Sequence, residues 1–146
     1  MIKKNVWQDI ETPLEFHEDP RGKIADIFYK ENINHVAIIN SKAGSDRGDH
    51  YHKQATQHIL ITKGALEYWY KPLNSDQHAK CEIIRSGDMI TTPPYEVHAL
   101  RIIENNEFIV FSQGVRGGRD YEKDTFRVQP SIMPNQEHNR KGEEVE

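Results

Sequence analysis

GDHYHKQATQHILITKG, residues 48–64, holds two histidines one residue apart, a glutamine five positions after the second, and a β-branched run that closes on a glycine. Side chains alternate across a strand, so His50 and His52 project from one face while Tyr51 points to the other. KQAT is a connection short enough to reverse the chain and set Gln57 on a neighbouring strand beside them. In TTPPYEVHAL, residues 91–100, His98 opens a strand after a Pro-Pro turn. A later strand of a closed sheet can return that ring to the same interior, so these two stretches together point to a barrel with His50, His52, Gln57 and His98 inside it.

The rest of the chain reads as strands. GKIADIFYK (22–30), NHVAIINSK (34–42), HILITKGALEYWYK (58–71), CEIIR (81–85), HALRIIE (98–104) and NEFIVFSQ (106–113) are alternating or β-branched, and no stretch has helical periodicity. Lys63-Gly64, Asn74-Ser75-Asp76, Ser86-Gly87-Asp88 and Asn105-Asn106 are the expected turns, because Gly, Asn and Asp accept positive φ or bond their own backbone. The expected class is all-β, a sandwich or small barrel formed by residues 1–128 as one domain. Residues 129–146 are polar and charged and read as a tail that is frayed unless held against a neighbouring surface.

Composition narrows the function classes. A chain of 146 residues can bury a single core, and a formal charge of -4 with no lysine or arginine stripe argues against nucleic acid as a partner. No apolar run approaches the roughly 20 residues that cross a bilayer, and nothing behind the N-terminal lysines resembles an export signal, so no membrane and a cytoplasmic location are expected. Cys81 is the single cysteine, which excludes an internal disulfide and a multi-cysteine zinc site.

The spacing Gly44, His50, His52, Gln57, Gly64 resembles the first signature of the cupin superfamily, with glutamine in place of its usual glutamate. Gly87, Pro93 and His98 are similar to the second signature, with Tyr95 where a glycine is usual. DPRG (19–22), RGDHYHK (47–53) and HYHKQATQ resemble cupins that modify sugar nucleotides: 3,5-epimerases, 3,4-ketoisomerases and the C-terminal cupin of capsular-polysaccharide reductases. His98 and DTF (124–126) are closer to the last group. The resemblance implies an antiparallel jelly-roll barrel, a double-stranded β-helix. It also implies a homodimer in which the N-terminal strand arm, VWQDI, crosses to a second copy.

The residue types suit that chemistry. Shifting a ketone or inverting a centre beside it needs a proton removed and returned, which an imidazole near neutral pH can do. The enediolate needs aimed donors or a cation. His50, His52 and Tyr95 are therefore the catalytic candidates; Tyr68 and Tyr70 are candidates for substrate contact. Arg21 and Arg47 are candidates for gripping a diphosphate, because the guanidinium fork meets two oxygens at once. Alternatively His50, His52, Gln57 and His98 hold one divalent ion such as zinc, nickel, iron or manganese, with no organic cofactor. One imidazole lone pair cannot serve both purposes, so metal and proton remain competing roles. The expected function is an isomerase or epimerase on a nucleotide-linked 4-keto-6-deoxy sugar in surface-polysaccharide synthesis. A non-catalytic metal-binding cupin and a metal-dependent dioxygenase are the alternatives. His35, His58, His78 and His138 read as solvated or structural, and RGGR (116–119) as a lid segment.

Overall fold

The computed structural model describes residues 1–114 and 122–136. RGGR and His138, named above, lie outside them. Among the described residues the chain forms twelve strands: β1 (Ile2–Asn5), β2 (Phe16–Asp19), β3 (Gly22–Ala25), β4 (His35–Ser41), β5 (Asp46–Tyr51), β6 (Thr56–Lys63), β7 (Ala65–Pro72), β8 (Lys80–Arg85), β9 (Asp88–Thr92), β10 (Glu96–Ile102), β11 (Asn106–Gln113) and β12 (Phe126–Arg127). One 3-10 turn, Glu122–Asp124, precedes β12.

Two five-stranded sheets, ordered β1-β9-β6-β11-β4 and β12-β5-β10-β7-β8, pair antiparallel throughout. This is the expected antiparallel jelly roll. Alternation builds the core: Ile59 and Ile61 of β6, Ile90 of β9 and Phe108 of β11 meet Leu66 and Tyr68 of β7, Ile84 of β8, and Leu100 and Ile102 of β10. Removing that apolar area from water is what holds the sheets together. Gly64 joins β6 to β7 at φ +78°, where a Cβ would lie 2.3 Å from the Asn105 carbonyl oxygen, so this turn needs glycine.

The stretch 22–30 departs from expectation. Its strand ends at Ala25, and Ile27 and Phe28 instead pack on the outer face of the first sheet against Val6, Leu60 and Met89. The apolar outer positions of β6 and β9 need a cover, and this irregular segment supplies it. In the N-terminal arm, β1 pairs with β9 and Val6 is buried in that same outer cluster. The polar stretch after residue 128 is docked where it is described. The Asp49 carboxylate accepts bonds from Ser131 Oγ at 2.7 Å and the Ile132 amide at 2.9 Å, Arg101 donates to the Pro134 carbonyl, and Met133 is buried.

Candidate functional site

The two sheets present two polar rows to each other. On the second sheet, cross-strand pairing aligns Arg127 of β12, His50 of β5, His98 of β10 and Tyr70 of β7. On the first, it aligns His35 of β4, Ser112 of β11, Gln57 of β6 and Thr92 of β9. Residues directly opposite in an antiparallel ladder share a face. Between the rows lies a cavity of about 330 Å³, lined by His35, Arg47, His50, Gln57, His98 and Ser112 among apolar walls.

A bulge aims β5 into this space. Pairing with β10 slips between His98 and Ala99, so that Gly48 and Asp49, with φ +89° and +60°, occupy the extra step. The inserted residue changes the alternation, and odd-numbered Arg47 comes to line the same cavity as even-numbered His50. A Cβ on Gly48 would lie 2.9 Å from the His98 carbonyl oxygen, so glycine permits the close approach of β5 to β10.

The candidate ligand nitrogens of His50, His52 and His98 lie within 4.8 Å of one another. Their ring centroids are 4.7 Å apart for His50 and His98, 4.9 Å for His50 and His52, and 5.3 Å for His52 and His98. Two tautomers follow from the backbone. His52 Nδ1 faces the Asp124 carbonyl at 2.8 Å and His98 Nδ1 faces the Glu96 carbonyl at 3.1 Å. A carbonyl oxygen only accepts, so each Nδ1 carries a hydrogen and Nε2 is the nitrogen left for a lone pair in the neutral ring. Burial lowers the His98 pKa to about 3, and the neighbouring His50 adds to the shift. Burial, then His52 and Arg127, lowers His50 to about 4. Near neutral pH both rings are uncharged.

Asp124 fixes the geometry from a distance of seventy residues. Its buried carboxylate accepts the backbone N–H groups of Lys53, Gln54 and Ala55 at 2.9, 3.1 and 2.9 Å, which pins the turn between β5 and β6. Its carbonyl orients His52. Within DTF, then, the aspartate is a clamp on the histidine motif.

The remaining candidates divide. Gln57 is buried and lines the cavity. Arg47 lines it too, donating to Ser41 Oγ at 2.7 Å and the Asn40 carbonyl at 3.1 Å. Arg21 does not reach it. It sits exposed at the β2–β3 hairpin, bonded to Asp19, whose carboxyl it holds below the ordinary range. Tyr68 is fully buried behind His98, its hydroxyl bonded to Thr92 and 3.4 Å from Glu96, so it is a packing residue rather than an open donor. Tyr70 points its hydroxyl at Glu82, 3.5 Å away. Tyr95 stands at φ +65°, 52% exposed, stacked on Tyr51 with centroids 6.4 Å apart. Because Tyr51 lies on the face opposite His50 and His52, Tyr95 is turned away from the histidines.

Sequence reading passed over two residues. Arg127 faces His50 across the β12–β5 pair, and its charge helps keep that ring neutral. His35, read as solvated or structural, lines the cavity. His58 is structural, as expected: Gln113 Oε1 accepts from its Nε2 and Thr91 Oγ1 donates to its Nδ1.

Comparison with known proteins agrees with this architecture. A 3,4-ketoisomerase from Helicobacter canadensis superposes with a TM-score of 0.65 at 17% identity, covering 82% of this chain and 90% of the other. A dTDP-4-dehydrorhamnose 3,5-epimerase from Sulfolobus tokodaii gives 0.64 at 18% identity, covering 86% and 87%. A Pseudomonas aeruginosa UDP-2-acetamido-2,6-beta-L-arabino-hexul-4-ose reductase is 22% identical over 98 residues; the match takes in 66% of this chain but 26% of that protein's length. The profile of the polysaccharide biosynthesis C-terminal domain matches residues 17–125, from β2 to the Asp124 clamp, and the chain belongs to that family.

Proposed function

We propose that this protein is an isomerase or epimerase acting on a nucleotide-linked 4-keto-6-deoxy sugar in surface-polysaccharide synthesis. The observation that carries this reading is the shared cavity, in which the His50 and His98 imidazoles on one sheet face an apolar wall and the polar side chains of His35, Ser112 and Gln57 on the other. A volume of about 330 Å³ is at the small end for ligand pockets and suits a single sugar ring, with the nucleotide left outside. Ala37, Ile39, Leu100 and Val110 give the wall that a 6-deoxy methyl group would meet. Arg47 lines the cavity and supplies positive charge for a diphosphate at the mouth, whereas the Arg127 guanidinium, across from His50, is held by the Glu122 carboxylate at 3.1 Å.

The donor set also fits a divalent cation. Three clustered imidazoles, two of them with Nδ1–H donated to backbone carbonyls, have the hydrogen-bonded arrangement that fixes metal-binding histidines, and His50, His52 and His98 would hold the ion with Gln57 as a neutral oxygen donor. Zinc, nickel, iron or manganese would polarise the substrate ketone. The working unit on this reading is a cytoplasmic homodimer.

Two measurements test the proposal together. Nucleoside diphosphates should raise the melting temperature, about 2.7 kcal/mol of stabilisation being expected at a hundredfold excess over Kd. With 4-keto-6-deoxy sugar nucleotides in heavy water, the protein should drive deuterium onto ring carbons faster than a protein-free control. Binding of metal with neither effect would favour a non-catalytic metal-binding cupin.

A further inference from the structure

The three clustered imidazoles leave a chemical gap: if their lone pairs converge on a cation, some other group must move the proton. We propose that His35 is that group, an inference that rests on the sugar-nucleotide reading above. It occupies the inner face of β4, at the edge of the first sheet, and opens onto the same cavity as His50, Gln57 and His98. It lies on the sheet opposite the histidine cluster, so a ring bound between the sheets has His35 on one side and the three imidazoles on the other.

Its surroundings differ from those of His52, His98 and His58. His52 and His98 each have a nitrogen committed to a backbone carbonyl, and His58 has both nitrogens engaged by Thr91 and Gln113. No hydrogen bond ties the His35 ring to another described residue. It is half-buried, which leaves it reachable from solvent for proton exchange, and its cross-strand partner is Ser112, buried beside Gln57. A ring lining the substrate space and a route for its proton are what a general base needs.

The step balances within the cavity. His35 takes the proton from the carbon beside the ketone and becomes imidazolium. The C–H electron pair becomes the carbon–carbon double bond of an enediolate, and the carbonyl π pair moves to oxygen, on the side of the histidine cluster. The hydroxyl proton on the carbon first deprotonated passes to the former carbonyl oxygen, and His35 returns its proton to the former carbonyl carbon; the double-bond pair forms that new C–H bond, the O–H pair closes a carbonyl on the carbon first deprotonated, and the ketone has shifted by one position with the imidazole neutral again.

The test is deuterium incorporation by His35→Gln and His35→Asn, run beside the wild type with the same 4-keto-6-deoxy sugar nucleotide. Bound metal and the thermal shift with nucleoside diphosphate are measured in parallel. Both variants should keep metal content and thermal shift near wild type while incorporation slows by about a hundredfold or more, the usual scale for losing a general base. Added imidazole should restore part of the rate. Wild-type incorporation that survives both substitutions within about threefold overturns the assignment and leaves the family reading standing. A wild type that incorporates no deuterium overturns both. Loss of thermal shift together with incorporation shows a role in binding and overturns the base assignment.

Discussion

Replacing Asp124 by alanine removes one carboxylate that serves three consecutive amides, at 2.9 Å to Lys53, 3.1 Å to Gln54 and 2.9 Å to Ala55. Ala55 is 1% exposed, so its N–H cannot turn to water and is left unsatisfied, a cost of about 1–3 kcal/mol. Lys53 and Gln54 are exposed, and solvent recovers part of what their amides lose. With about 0.5 kcal/mol for each of those two the sum is about 2–4 kcal/mol, a large part of the 5–15 kcal/mol typical of a domain. The site should suffer beyond stability, because the clamp holds the turn that follows His52. Zinc affinity should fall by about tenfold or more, the scale seen when an outer-shell partner is lost. Urea denaturation gives the first quantity and zinc titration the second. Asp124→Asn, which keeps one acceptor oxygen, should fall between wild type and alanine in both. An alanine variant within about 1 kcal/mol of wild type, with unchanged zinc affinity, would refute the clamp.

Three other outcomes are expected. In metal-free protein, stability should fall as pH drops below about 6.5, because the unfolded chain protonates His50 and His98 while the fold holds them neutral down to about 4 and about 3. At pH 5 the loss is about 2 kcal/mol for each ring, and a flat urea midpoint between pH 7.5 and 5 in chelator would contradict it. Gly48→Ala should destabilise by about 2–3 kcal/mol in the same assay, since the new Cβ meets the His98 carbonyl at 2.9 Å and the backbone is already at φ +89°. Arg47→Ala should abolish most of the thermal shift with nucleoside diphosphate, whereas Arg21→Ala, on its separate hairpin, should leave it unchanged.

The convergence of His50, His52 and His98 was legible because it depends on two local facts: alternation along β5 and the position of His98 within a strand that follows a tight turn. The placing of Tyr95 was legible as well, in a way the sequence reading did not use. A tyrosine that stands where the cupin signature carries glycine occupies a backbone position with φ +65°, which reports the demand of the turn and says nothing of catalysis. Arg47 and His50 have opposite parity, and only the bulge at Gly48 and Asp49 lets both line the cavity; a glycine within a strand hints at such a bulge but does not give its register. His35 and Arg127 escaped for a different reason. Each reaches the site through pairing with a strand distant in sequence, β4 with β11 and β12 with β5, and periodicity alone cannot choose a partner strand.

His52 and the clamp that orients it are written 72 residues apart, and Asp124 follows the last long strand, so a polypeptide shortened before Asp124 would keep the strands that enclose the core. It would lack the carbonyl that sets the His52 tautomer and the carboxylate that binds the turn after it. Architecture and chemistry can thus be separated by a cut in the gene, and a folded but inert protein is the signature to look for.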